Sequence, residues 1–201
     1  GALPNGGQCL IVSNHVSWID IVVLSAVAPL SFVAKREVAT WPFFGWLAKL
    51  QRTVFVDRER RHSTKHSRNE LETRLALGDR IVLFPEGTSH NGASVLPFKS
   101  SFFAAATAPD ISIVPVTLVY KQHWGLPLAR RNRGLFAWYA DMDLIPHLWA
   151  ALCTGPLTVD ILIHPALDVD TGLNRKAATA VSERVIRRSL AAALHGRLVL
   201  E

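Results

Sequence analysis

The chain has 201 residues, enough for one domain with a sizeable core, and its 49% hydrophobic content and mean hydropathy of +0.21 are high for a domain in water. No run of about 20 uncharged apolar residues is present to span a bilayer, the longest candidate, residues 21–34, being too short and holding Pro29; the two cysteines, Cys9 and Cys153, exclude a disulfide framework and indicate a reducing compartment. The net charge of +6 suits nucleic acid, anionic lipid or an acidic carrier, and equally an ordinary basic surface in water.

In chain order, short apolar and β-branched runs read as strands at residues 9–13, 31–34, 53–56, 80–84, 111–119, 135–139 and 158–164. Helix-length segments lie between several of them, at 17–28, 41–51, 62–77 and 100–108. The chain closes with a helix at 173–198, on which Val181, Val185, Leu190 and Leu194 share a face away from Arg184, Arg187 and Arg188. Strands alternating with helices imply an α/β fold, a mixed and largely parallel sheet flanked by helices. The whole chain, 1–201, reads as one domain, with its motifs between about residues 8 and 165.

Three stretches carry chemistry. In the first, Asn14-His15-Val16-Ser17-Trp18-Ile19-Asp20, a carboxylate follows a histidine by five positions, so it could fix the imidazole tautomer and stabilise the imidazolium. On a continuous helix five residues separate two side chains by about 140°, so the pair forms only if His15 precedes the helix. Ser17 as N-cap, with Asp20 in a near capping box, places it there. The plainer meaning is a helix-start carboxylate beside a loop histidine.

In the second, Phe84-Pro85-Glu86-Gly87-Thr88-Ser89 ends a strand at the sheet edge where α/β proteins bind ligands. Gly87 permits close backbone approach and Thr88 can donate a hydrogen bond; a simple turn is the alternative. In the third, Thr53-Val54-Phe55-Val56-Asp57-Arg58 delivers Arg58 to that edge, where it could clamp a phosphate or carboxylate, while Arg60 and Arg61 read as solvated. His62 and His66 have metal-ligand spacing on a helix but no visible third ligand, so no metal is expected.

These stretches resemble the ordered blocks of the glycerolipid acyltransferases, specifically the lysophosphatidate acyltransferase family. Asn14–Asp20 is similar to Asn-His-x-Ser-x-x-Asp, Phe55–Arg58 to the second block, Phe84–Thr88 to Phe-Pro-Glu-Gly-Thr, and Val114-Pro115-Val116 to the fourth. The resemblance implies a glycerol-3-phosphate acyltransferase-like fold and acyl transfer from acyl-CoA or acyl carrier protein to a lysophospholipid hydroxyl. No cofactor or covalent intermediate is needed. His15 would be the general base and Asp20 its orienting partner, with Arg58, Glu86, Gly87 and Thr88 on the acceptor. Two departures stand out: Ser89 where the family often has Arg, and Arg52 where it often has Gly before the second block. These departures leave the exact acceptor open, and residues 35–61 and 138–144 also resemble bacterial members acting on lyso-ornithine lipid. Lysophosphatidate is ranked narrowly first as acceptor.

A lipid acceptor requires a membrane surface, and Trp41, Phe43, Phe44 and Trp46, flanked by Lys35, Arg36, Lys49 and Arg52, are the candidates, unless these aromatics are core. The expected location is the cytoplasmic face of the inner membrane, peripheral or anchored by a segment outside this chain. Against this stands a basic lipid- or nucleic-acid-binding module without catalysis, but no nucleic-acid motif is visible and nucleic acid is not expected as a partner. A hydrolase would need a Gly-x-Ser-x-Gly elbow, which is absent.

Overall fold

The computed structural model describes residues 2–4, 8–57, 61–107, 111–167 and 174–197, with backbone alone for 61–66 and 105–107. Strand β1 (Cys9–Ser13) is buried at every position because it has neighbours on both edges and layers on both faces. It pairs in parallel with β4 (Arg80–Leu83) on one side and with β5 (Ser112–His123) on the other. Beyond β4 lie β2 (Ser31–Lys35) and β3 (Val54–Val56), also parallel. β5 then turns back through the two-residue β6 (Leu126–Pro127) and pairs antiparallel with β7 (Leu157–Ile163). The sheet order is therefore β3-β2-β4-β1-β5-β6, with β7 also on β5, and the expected mixed, largely parallel α/β sheet is what forms.

Alternation along the strands divides the core. Leu10, Val12, Ile81, Leu83 and Ile113 face one layer, where they meet Leu75 of α3 (Arg61–Ala76), Phe103, and Ile186 and Leu190 of α5 (Arg175–Leu194). Cys9, Ile11, Phe32, Val82, Val114 and Val116 face the other, against Leu24 of α1 (Ile19–Ser25). Burying both faces explains why these strands read as continuous apolar runs. On α5 the buried line runs through Ala178, Ser182, Ile186 and Leu190, while Val181 and Val185 are half-buried, so the core-facing stripe lies beside the expected one.

Several expected elements differ. Residues 135–139 are not a strand: a 3-10 helix spans Arg130–Leu135. The amides of Phe136 and Ala137 bond to Arg133, and that of Trp138 to the Val16 carbonyl. Phe136 and Ala137 are buried, yet β7 already occupies the free edge of β5, so the run closes over the α1 entry as a loop. The segment at 100–108 is a 3-10 helix, Ser100–Thr107. The segment at 41–51 shortens to α2 (Phe44–Leu50), preceded by a 3-10 helix Arg36–Thr40. A further helix, α4 (Leu144–Thr154), not expected from the sequence, has no charged residue to mark its outer face. Its solvent side exposes Ile145, Trp149 and Leu152.

Arg52 adopts a left-handed backbone with φ of 56°, a conformation that glycine takes without steric cost. Its carbonyl receives Arg74 Nη1, and Arg74 also donates to Asp79 Oδ2 at 2.7 Å and to Ser31 Oγ at 2.7 Å. This nearly buried guanidinium ties α3 to the turn that enters β3.

Candidate active site

The parallel strands β1, β4 and β3 end at the same sheet edge, and the three motifs follow them. β1 stops at Ser13, but its pairing with β5 is continued by a side chain. Asn14 Nδ2 donates to the Leu118 carbonyl at 3.0 Å, and the Leu118 amide donates to Asn14 Oδ1 at 2.8 Å. The amide group thus mimics a backbone partner and frees the chain to turn at His15.

His15 precedes α1, as the pairing requires. Its Nδ1 lies 2.8 Å from Asp20 Oδ2. A proton on Nδ1, held by the carboxylate, leaves Nε2 as the basic nitrogen. The ring stacks on Phe84, with centroids 4.1 Å apart and planes at 16°. His15 is 19% exposed at its side chain and Asp20 0%, so a wet base is backed by a dry carboxylate. Asp20 Oδ2 also accepts the amides of Val16 (2.6 Å) and Ser17 (3.0 Å), and Oδ1 accepts the Tyr120 hydroxyl at 2.7 Å.

The helix entry departs from expectation. The N-cap is Trp18, with no side-chain cap bond, and Ser17 Oγ is buried beside the Tyr120 hydroxyl rather than on a helix amide. Asp20 reaches back to the Val16 and Ser17 amides before the helix, while the first-turn amides of Asp20 and Ile21 bond to the Ser17 and Trp18 carbonyls, so the helix starts without a side-chain cap.

Glu86 was expected at the acceptor; the structure turns it inward. It is 2% exposed, and its oxygens accept the His15 amide at 2.7 Å and the Leu96 amide at 2.8 Å. Its carboxylate therefore pins the His15 backbone to the loop after β4. Burial pushes its ionisation up to about 7, against the opposing pull of the Leu96 and His15 amides and the His15 ring. Gly87 takes φ of 76° in the turn, and its amide bonds to the Phe84 carbonyl at 3.1 Å. Thr88 is exposed at the same turn. His90 lies against both groups, with Nδ1 3.2 Å from the His15 carbonyl and 3.7 Å from Glu86 Oε2. Ser89 Oγ donates to the Trp138 carbonyl at 2.5 Å, joining two stretches that the sequence marked separately. Arg58 lies outside the described residues, as do the side chains of His62 and His66.

The aromatic segment is only partly core. Phe43 is 65% and Trp46 59% exposed, with Leu47 and Leu50 exposed beside them; Trp41 and Phe44 are half-buried. Trp41 packs edge-on against Trp138 at 6.1 Å, so this face adjoins the loop that covers the α1 entry. Lys35, Arg36 and Lys49 are exposed nearby in sequence. Among the described residues, no helix is long and apolar enough to cross a membrane. A cavity of about 320 Å³ lined by Pro4, Val114, Ile163 and His164 includes neither His15 nor Asp20.

Sequence reasoning missed Tyr120 and the roles of Asn14 and Phe84. The first had one available signal: a phenol ending an apolar run needs a buried partner for its hydroxyl.

Residues 2–119 match the family model described as Acyltransferase. The chain is 43% identical to a lyso-ornithine lipid O-acyltransferase of Brucella abortus, over all of this chain and 78% of that protein. It is 42% identical to a protein of the same name from Rhizobium meliloti, over 98% of this chain and 70% of that one. Identity to a 1-acyl-sn-glycerol-3-phosphate acyltransferase of Neisseria gonorrhoeae is 32%, over 94% and 71%. The crystal structure of the 1-acyl-sn-glycerophosphate (LPA) acyltransferase PlsC from Thermotoga maritima superposes with a TM-score of 0.67 at 23% identity, covering 98% of this chain and 70% of that one, which shows a shared fold.

Proposed function

Because the chain belongs to the acyltransferase family, we propose that it moves a fatty acyl group from a thioester donor to the free hydroxyl of a lyso-lipid, with lyso-ornithine lipid as acceptor. The observation that carries the chemistry is the 2.8 Å contact between His15 and the fully buried Asp20. His15 Nε2 takes the proton of the acceptor hydroxyl as its oxygen attacks the thioester carbonyl. Asp20 stabilises the imidazolium that forms. Collapse of the tetrahedral intermediate breaks the carbon–sulfur bond, and the imidazolium returns its proton to the departing thiolate. No covalent acyl-enzyme is required.

Two considerations favour lyso-ornithine lipid over lysophosphatidate, the other expected acceptor. The relatives named for the former are 43% and 42% identical, against 32% for the latter. At position 89 a serine bonded to the Trp138 carbonyl stands where phosphate-binding relatives often carry a cation, and a zwitterionic head group has less need of one. Arg58, Gly87 and Thr88 hold the head group, while Glu86 acts from beneath through the His15 amide. The exposed face of Phe43, Trp46, Leu47 and Leu50, with its flanking lysine and arginine, rests on the anionic cytoplasmic face of the inner membrane.

The test is a matrix of labelled acyl-CoA and acyl carrier protein against lyso-ornithine lipid and lysophosphatidate. Faster product formation with lyso-ornithine lipid is expected with either donor. Preference for lysophosphatidate would overturn the acceptor, and release of free fatty acid alone would overturn acyl transfer.

A further inference from the structure

We propose that Tyr120 is a positioning residue of the reaction, its hydroxyl governing through Asp20 how firmly the His15 imidazole is held as a base. The inference rests on the acyl-transfer reading, but its physical core is a hydrogen-bond count at one buried carboxylate. Asp20 Oδ2 receives three donors, from His15 Nδ1, Val16 N and Ser17 N, at 2.6–3.0 Å. Oδ1 has one recorded donor among the described residues, Tyr120 Oη at 2.7 Å. Asp20 and Tyr120 are 0% and 3% exposed, so water does not readily replace that bond. A donor on Oδ1 draws negative charge away from Oδ2, the oxygen that faces the imidazole, and thereby weakens the hold on the imidazolium.

The arrangement is built into the fold. Tyr120 lies on β5 two residues beyond Leu118, whose backbone the Asn14 side chain grips in both directions. The residue before His15 therefore sets the register between the phenol and the His15–Asp20 pair. The Tyr120 side chain packs among Val16, Leu128, Phe136, Ala137 and Ala151, which fixes the ring. Burial, with the charge of Asp20 next, raises the ionisation of the phenol well above its ordinary value, so it stays a donor throughout any usable assay range.

The other ionisable groups facing this cluster are few. From the loop after β4 come Glu86, which bonds the His15 amide, and His90 against the His15 carbonyl. Farther out, His147 of α4 accepts from Trp18 Nε1, and His123 of β5 packs on Phe136. None of these contacts Oδ1, so the effect of removing the phenol hydroxyl is separable from theirs.

The experiment uses Tyr120→Phe, which keeps the ring and deletes the donor. Without it Asp20 holds the imidazolium more tightly, so the acid limb of the kcat/KM profile moves to higher pH by about 0.5–1 unit. On the pH plateau turnover does not fall, because the imidazolium that forms is held more tightly, and acceptor KM stays within about twofold. Ring-nitrogen NMR of His15 reads the same upward displacement without any substrate, which separates failure of this proposal from failure of the acyl-transfer reading. A second arm strengthens the donor instead. Tyr139→Phe leaves Tyr120 as the one tyrosine of the chain's two, and 3-fluorotyrosine incorporated there is a more acidic phenol. Relative to unlabelled Tyr139→Phe protein, it should move both readouts to lower pH. A folded Tyr120→Phe protein whose acid limb and His15 titration coincide with wild type overturns the proposal, as does displacement in the same direction by both changes.

Discussion

Replacing Asp20 by Asn tests the charge of the buried carboxylate with almost no change in shape. The amide has two orientations. With its nitrogen at the Oδ2 position it would face three donors, His15 Nδ1 and the amides of Val16 and Ser17. With its oxygen there, all three contacts survive as neutral hydrogen bonds, and the NH₂ meets Tyr120 Oη, which rotates to accept. The second orientation wins, so the His15 tautomer is largely kept and stability should change by no more than about 2 kcal/mol. What is lost is the attraction between carboxylate and imidazolium. For charges about 4 Å apart at an effective dielectric of 20, that is on the order of 4 kcal/mol. Because the imidazolium exists only as the reaction proceeds, the loss falls on the barrier and should lower kcat by about 10²–10³-fold. Initial-rate measurement on lyso-ornithine lipid vesicles, with circular dichroism to establish folding, gives the answer. A folded Asp20→Asn enzyme within tenfold of wild-type kcat would refute the reasoning, since the carboxylate would then be a structural cap and nothing more.

Glu86 supplies a pH-dependent prediction. Its folded ionisation lies near 7 against an ordinary 4.5, so the folded state keeps a proton that the unfolded state releases. Stability from this group is complete below about pH 4.5 and falls as pH rises to about 7, by at most about 3–4 kcal/mol. Glu86→Gln cannot titrate and turns an NH₂ toward either the His15 or the Leu96 amide. It should cost more stability at pH 5 than at pH 8, and urea unfolding at both values would show an equal cost if the burial argument is wrong. Replacing Phe43 and Trp46 together by Ser should weaken binding to anionic vesicles at least tenfold while leaving the melting temperature within a few degrees, because both side chains are mostly exposed. Sedimentation with vesicles checks this, and unchanged binding would move the membrane contact elsewhere.

How much of this was legible in the sequence follows from the kind of signal each feature leaves. Buried parallel strands leave continuous apolar runs, so β1, β4 and the start of β5 were plain. The His15–Asp20 pair was visible because both members lie in one short motif whose spacing demands a turn. Tyr120 lies 100 residues from Asp20 and Asn14 lies 104 from Leu118, and contacts of that range have no local signature. The burial of Glu86 leaves no sequence signal, because a motif carboxylate at a sheet edge reads as facing outward and the amides of His15 and Leu96 that draw it in are backbone groups, present at every non-proline residue. The 135–139 run reads as a strand because burial in a loop and burial in a sheet look alike in composition, and α4 is masked because its outer face carries Ile145, Trp149 and Leu152 rather than charges.

The central claim is that His15 acts as general base in direct acyl transfer to a lyso-lipid hydroxyl. The most direct measurement is the rate of acyl transfer to lyso-ornithine lipid by His15→Ala, in protein that melts as wild type does. A loss of at least about 10²-fold is expected from removal of a general base. A folded mutant retaining more than a tenth of the wild-type rate has lost less than about 1.4 kcal/mol of barrier stabilisation, which would contradict the assignment.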